Sequence, residues 1–299
     1  KDLSTGEIKD FTNLRAINDI NDGVLQHISI EHLRKSIIDD PLRMVRLVRF
    51  ASKYQWRIPN EVASEVISNS DRIQIVAIER VMEELKKLME IGRLYQGILL
   101  MDSLNLLVHI LPQIYTMNGV LHNNPINHHE GDVWTHTMHV LRCAKYGIVP
   151  QLAALLHDIG KPFTQTTGDD GFFHYYNHPT EGEKIAEDIL RFLKFDLETI
   201  RIVKSLVFHH MEPLQLVSAS DKACRRFLRE NGDLAEQILD LAEADSLGTL
   251  PVNDYVPALR ERLKKLQSSS PVRRTAILDG NEIMIILDIK PGPKVGEVT

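Results

Sequence analysis

A chain of 299 residues, 43% hydrophobic and 25% charged, is long enough for about two globular domains with a sizeable core. Its net charge of −6 excludes a uniformly basic nucleic-acid coat, and its two cysteines, Cys143 and Cys224, exclude a disulfide framework or a cysteine-based zinc module. No apolar run approaches the roughly 18 residues of a membrane span, and the polar start Lys1-Asp2-Leu3-Ser4 carries no export signal, so a cytoplasmic location without membrane contact is expected. Histidine is the outlier. Of 13 residues, His122, His128, His129, His136, His139, His157, His174, His178, His209 and His210 crowd into one third of the chain, which points to a metal site or acid–base chemistry.

Residues 1–29 are short and mixed, with turn signals at Thr5-Gly6 and Asp22-Gly23, and 24–28 fits either a strand or a short helix. From Glu31 the apolar period is helical: Leu33, Ile37, Met44, Leu47, Val48 and Ala51 recur at spacings of three, four and seven. Pro41 marks a new helix start, with Asp39-Asp40 placed to cap it. Helices are predicted over 60–68, 77–88 and 94–108. The turn-rich stretch 112–131 reads as a loop and the best internal boundary. Beyond it, helices are predicted near 132–146, 150–158, 180–194, 197–210, 220–230, 233–247 and 254–267, with a partly extended loop at 163–177. Ser268-Ser269-Ser270-Pro271 reads as a linker and 283–287 as a short apolar helix. The expected fold class is all-α, a multi-helix array.

The sharpest local element is Leu155-Leu156-His157-Asp158-Ile159-Gly160-Lys161-Pro162. The apolar stretch ending at Leu156 implies a buried helix, and Gly160 and Pro162 suit its end. An imidazole and a carboxylate therefore emerge side by side from a buried helix terminus. Burying an unpaired carboxylate costs several kcal/mol, so Asp158 needs a cation, either Lys161 or a divalent metal. His136 and Asp245, each on a predicted helix, are candidates to complete the shell. Imidazoles mixed with carboxylates suit Zn, Mn, Fe, Ni or Co better than Ca or Mg. Such an ion activates water and polarises a phosphoryl oxygen. Alternatives remain at this level. His139 rivals His136, Asp240 and Glu243 rival Asp245, and His178, though favoured as a ligand, also fits as the cap of a helix starting near Pro179. His122, His128, His129 and His174 fall in loops, as rim or solvent groups.

In that order, His136, His157-Asp158 and Asp245 resemble the H…HD…D signature of the HD superfamily of metal-dependent phosphohydrolases. His178 and the pair His209-His210 resemble the additional ligands of its two-metal variants. This implies a second ion, with Asp158 bridging the two and His210 the favoured member of the pair. Lys161 matches a lysine that often follows the HD pair, which implies phosphate binding. Asp158 and Lys161 are thus the candidate catalytic residues.

Arg43, Arg46 and Arg49 lie at i, i+3 and i+6 within 31–57, where seven Lys/Arg face three Asp/Glu. The spacing fits phosphate contact by planar guanidinium forks, or a solvated face paired with acids elsewhere. The string Ile38-Asp39-Asp40-Pro41-Leu42-Arg43-Met44-Val45-Arg46-Leu47-Val48-Arg49-Phe50-Ala51 resembles the neck of tRNA nucleotidyltransferases (CCA-adding enzymes) and bacterial poly(A) polymerases. Their motif reads Glu-Asp-x-x-Arg, and Asp39 here stands where the family usually has Glu. The resemblance implies nucleotide binding by Asp40 and Arg43 and RNA contact by Arg46, Arg49 and Lys53. It also implies tRNA or RNA 3′ ends and nucleotides as partners. The segment Thr5-Gly6-Glu7-Ile8-Lys9-Asp10-Phe11 and the tail from Gly280 to Gly296 resemble the same family, so the likeness covers almost the whole chain. The implied organisation is a head remnant and neck over 1–57, an RNA-binding helical body over 58–118, an HD domain over 119–250 and a helical tail over 251–299. Basic residues Arg260, Arg262, Lys264, Lys265, Arg273 and Arg274 are further candidates for RNA phosphates. The family's head needs a Gly-Ser turn and Asp-x-Asp to hold two Mg²⁺ ions, and this sequence contains neither. With Lys1 in place of an initiator Met, the expectation is a piece of a longer parent, unable by itself to add nucleotides.

Overall fold

Amphipathic periods become helices along nearly all of the described chain, which in this computed structural model comprises residues 16–121, 131–169, 171–268, 284–286 and 290. The first half holds α1 (Ile30–Asp39), α2 (Leu42–Tyr54), α3 (Asn60–Ser68), α4 (Ile78–Glu90) and α5 (Leu94–Ser103). The second holds α6 (Val133–Cys143), α7 (Ile148–Leu156), α8 (His178–Phe192), α9 (Leu197–His209), α10 (Asp221–Asn231), α11 (Ala235–Gly248) and α12 (Val256–Ser268). The two-residue strands β1 (Thr166–Thr167) and β2 (Phe173–His174) pair antiparallel within the loop predicted to be partly extended. The chain is all-α. Among the described residues no helix is long and apolar enough to cross a membrane.

One core runs through both halves. In the first, α2 packs on α4 and α5; in the second, α8 packs on α9 and α6 on α11. Helix α7 lies between α6, α9 and α11 and also touches α4. That central position explains its composition: Leu152, Ala153, Ala154, Leu155 and Leu156 are all buried, because every face of the helix is covered beyond its first residues. The chain segment that leaves its C-terminus is thereby held at the middle of the bundle.

Three local readings are corrected. The helix predicted over 94–108 breaks after Ser103; Asn105 adopts φ 57, and a one-turn helix, Leu107–Ile110, follows. Asparagine tolerates the left-handed region better than most residues. Asp39-Asp40 does not cap α2: Pro41 occupies the cap position without a side-chain hydrogen bond, and Asp40 accepts from Arg80 at 3.2 Å. Pro162 opens a short helix, Lys161–Thr164, rather than closing α7, in line with proline's tolerance of a first turn. Val24 is extended and bridges Arg57 in parallel. Residues 284–286 are helical within the predicted 283–287. The segments 5–11 and 291–296, together with His122, His128, His129, Arg273 and Arg274, lie outside the described residues.

Candidate metal centre

His157 ends α7 as its C-cap residue, and Asp158 follows in the turn. His210 ends α9 in the same way. In each case the ring Nδ1–H donates to a carbonyl three residues back, His157 to Ala154 at 2.9 Å and His210 to Val207 at 2.6 Å. These carbonyls belong to the last turn of their helix, where no further amide is available to bond them. His178, at the start of α8, donates from Nδ1 to the Tyr175 carbonyl at 2.8 Å. A proton held on Nδ1 leaves Nε2 as a bare lone pair. His136 is buried within α6, whose first turn is capped by Asp132. Asp245 comes from late in α11.

The Nε2 atoms of the four rings converge in two groups. His178 Nε2 and His210 Nε2 are 3.2 Å apart and lie 3.4 and 3.7 Å from Asp158 Oδ1. His136 Nε2 and His157 Nε2 are 3.3 Å apart and lie 3.6 and 3.2 Å from Asp158 Oδ2. Asp245 Oδ1 stands 3.0 Å from His136 and 3.9 Å from His157. The sets His136, His157, Asp245 and Asp158, His178, His210 can each hold an ion, and the two oxygens of Asp158 face one set each. Burial lowers the His178 pKa and drives His210 down to about 3, so both rings are neutral at pH 7. Two neutral rings with their Nδ1 protons committed to carbonyls repel across 3.2 Å unless a cation lies between them. The donor set therefore fits a divalent ion. Burial alone would raise the Asp158 and Asp245 carboxyls. The charges of His157 and Lys161 hold Asp158 well below the usual carboxylate range, and the hydrogen bond from His136 does the same for Asp245. Lys161 Nζ lies 2.6 Å from Asp158 Oδ2.

The depressed His210 sets a pH dependence for the metal-free protein. The unfolded chain takes up a proton below about pH 6.5 that native His210 refuses until about pH 3, so stability falls as pH falls through that window. At pH 5 this one group removes about 2 kcal/mol, a drop of roughly 4–8 °C in melting temperature. Thermal unfolding of the chelator-treated protein at pH 7 and pH 5 checks it; equal midpoints would contradict it.

Gly160 was expected to stop a helix. It has an ordinary φ of −79. What requires glycine is a contact, since a Cβ there would lie 2.2 Å from the His178 carbonyl oxygen and 2.7 Å from the Gly182 nitrogen. The turn carrying Asp158 thus presses directly on the first turns of α8.

The other sequence candidates separate. His209 points away, with Nδ1 2.8 Å from Glu212 Oε1 and its ring against Phe208. His209 belongs to neither donor set, so its assignment as a ligand is corrected. His139 is half-buried and belongs to neither donor set. Asp240 pairs with Lys145 and Arg260, and Glu243 with Arg260, which leaves Asp245 facing the histidines. Arg260 and Arg262 clamp α12 onto Asp240 and Asp221 rather than standing free for RNA.

The neck stripe is corrected likewise. Glu84, on α4, is 3% exposed and receives Arg49, Arg46 at 3.4 Å and Lys87 at 3.2 Å. Burial pushes its carboxyl up, and the bonds from Arg49 and Lys87 more than reverse this. A buried carboxylate must be paired, so Arg46 and Arg49 serve the α2–α4 contact. Arg43 donates to Ser36 Oγ, Asp40 accepts from Arg80, and exposed Lys53 lies 5.2 Å over the Tyr54 ring.

Above the donor groups opens a cavity of about 370 Å³. His136, Asp158, Lys161, His178, His210 and Asp245 line it, and so do His174, Tyr175, Tyr176, Thr249, Asn253 and Tyr255. Sequence reasoning had not singled out these tyrosines or the residues after α11. The aromatic run at 172–176 was the available signal.

Residues 57–117 match the family model described as "Probable RNA and SrmB- binding site of polymerase A", and residues 133–248 match the HD domain. The CC-adding tRNA nucleotidyltransferase of Thermus thermophilus is 30% identical over 273 residues, 88% of this chain and 61% of that protein. The A-adding tRNA nucleotidyltransferase of Deinococcus radiodurans is 30% identical over 300 residues, 94% of this chain and 66% of that protein. A solved CCA-adding enzyme in complex with ATP shares the fold, with a TM-score of 0.52 at 16% identity, covering 95% of this chain and 59% of that one. The chain therefore spans less than two thirds of the length of each of these proteins. Two family models in tandem, and relatives matched along most of its length, make the chain a member of the tRNA nucleotidyltransferase and poly(A) polymerase family, in the form that carries an HD domain.

Proposed function

We propose that residues 119–250 form a metal-dependent phosphohydrolase acting on phosphate esters of nucleotides or RNA ends, 2′,3′-cyclic and terminal phosphates included, within a protein that matures tRNA 3′ ends. One observation carries this reading: Asp158 parts two imidazole-rich donor sets on the floor of an open cavity, with an ammonium at its side. His136, His157, Asp158 and Asp245 would hold one divalent ion, and Asp158, His178 and His210 a second. The imidazole share favours Zn, Mn, Fe, Ni or Co; Mg²⁺ belongs to the nucleotide-adding head that the relatives' chemistry requires. A divalent ion here supplies Lewis acidity toward a phosphoryl oxygen and toward water.

The chain's own groups do the rest. Asp158, kept ionised by its cationic neighbours, accepts a hydrogen bond from the attacking water and orients it. Lys161, on the cavity wall, donates charge-assisted hydrogen bonds to a phosphate oxygen. The Nδ1 tethers keep the Nε2 atoms of His157, His178 and His210 aimed into the site. In the same reading residues 1–57 are the neck and head remnant, 58–118 an RNA-binding body and 251–299 the tail. Asp40 and Arg43 serve nucleotide binding and Lys53 contacts RNA.

Elemental analysis of the purified chain, followed by assay on 2′,3′-cyclic and terminal nucleotide phosphates, tests this. The expected result is two transition-metal ions per chain and hydrolysis that a chelator removes and the ion restores. A metal-replete chain that releases neither phosphate nor an opened cyclic ester would leave a metal-stapled RNA-binding module instead.

A further inference from the structure

We propose that Tyr176, backed by His174, is a stacking platform for one unpaired nucleobase, so that the cavity takes free nucleotides and single-stranded RNA ends and turns away base-paired ends. The inference rests on the phosphohydrolase reading for the fate of the phosphate, and not for the docking of the base.

β2 ends at His174, and Tyr176 opens the turn that leads into α8. His174 and Tyr176 stack, with ring centroids 5.3 Å apart and planes within 8° of parallel. Between them in the chain stands Tyr175. Its hydroxyl donates to the Leu121 carbonyl at 2.6 Å, its ring lies 5.6 Å from the Lys161 ammonium, and its carbonyl receives the His178 Nδ1–H. The stacked pair is therefore pinned by the same residue that orients a candidate metal ligand. Tyr176 is nonetheless 68% exposed while lining the cavity that also holds Asp158 and Lys161.

A flat aromatic face left to water at the mouth of a cationic and metal-ligating pocket describes the shape of its ligand. One end is anionic and the other a planar apolar ring, which is a nucleoside phosphate. Every base offers a π face, so such a platform reads the presence of a base and not its sequence. A cavity of about 370 Å³ sits at the lower end of the roughly 300–1,000 Å³ of small-ligand sites. It has room for one nucleoside phosphate and not for a base pair.

The probe is 2-aminopurine, as the free riboside monophosphate and as the 3′-terminal residue of a single-stranded RNA, bound to chelator-treated full-length chain and followed by fluorescence quenching. Both should quench, and the same residue placed in a blunt duplex end should not. Tyr176→Ala should weaken binding roughly 5- to 150-fold, and Tyr176→Trp should restore it. In the metal-loaded protein, Tyr176→Ala should also narrow the KM difference between a nucleotide and β-glycerol phosphate by about tenfold. Equal binding by Tyr176→Ala and the parent, or equal quenching by the blunt duplex, would overturn the proposal. Quenching lost with Tyr176 in a protein that hydrolyses nothing would uphold the platform and sink the phosphohydrolase reading alone.

Discussion

Asp158→Asn is expected to empty both donor sets at once and to lower phosphoester hydrolysis by on the order of 10³-fold or more. The carboxylate gives one oxygen to His136 and His157 and the other to His178 and His210. An amide carries no charge to balance an ion in either place. His178→Ala, by contrast, should affect only the set on the Oδ1 side. Asp158→Asn also has a cost without metal. The Lys161 side chain is 10% exposed and loses the carboxylate that faces it at 2.6 Å. Removing one partner of a buried pair costs about 3–5 kcal/mol. Adding Lys161→Met to Asp158→Asn should therefore recover stability without recovering metal. Elemental analysis and thermal unfolding on the three proteins separate the two effects; an Asp158→Asn protein that keeps two ions and full turnover contradicts the bridging role.

The second large effect is expected from Gly160→Ala. The added methyl would meet the His178 carbonyl oxygen and the Gly182 nitrogen, both backbone atoms that no rotamer change can move. Overpacking typically costs 1–3 kcal/mol, and with backbone on the far side the loss should reach about 3 kcal/mol, roughly 6–12 °C in melting temperature. Because the clash pushes the first turn of α8 outward, the set containing His178 should lose affinity before the set containing His136. Gly119→Ala is the control. Gly119 has φ +76 with nothing within 4 Å of an added Cβ, so only the left-handed strain of about 1 kcal/mol applies. Comparable melting losses in the two variants would refute the contact.

Much of this architecture is legible in the sequence because it is local. Asn60–Ser68 forms as predicted, and the apolar run before His157 is buried because α7 is surrounded. The order His136, His157-Asp158, His178, His210 and Asp245 marks the side chains that the fold brings together. What escaped depends on partners distant along the chain or on small local preferences. Glu84 is 38 positions from Arg46, and nothing in the arginine spacing shows that a buried carboxylate awaits it. The break at Asn105 turns on a left-handed residue whose cost is only about 1–2 kcal/mol. His209 and His210 are indistinguishable as letters; only the point at which α9 ends decides which ring faces Asp158. The cavity wall is assembled from two-residue strands and the stretch after α11, too short for any period to register.

The tether from Nδ1 to a backbone carbonyl has a consequence for how the protein meets its ions. Three of the four imidazoles take their direction from their own chain segment: His157 and His210 by closing a helix end, His178 through the turn before α8. None of these bonds needs a metal to form. The tethers aim these three rings by themselves, and what an ion adds is the positive charge that lets His178 and His210 approach to 3.2 Å, so one ion can replace another without re-aiming the donors. Such a centre imposes little geometry of its own, and the metal it carries is chosen by the softness of its donors and by the supply in its surroundings.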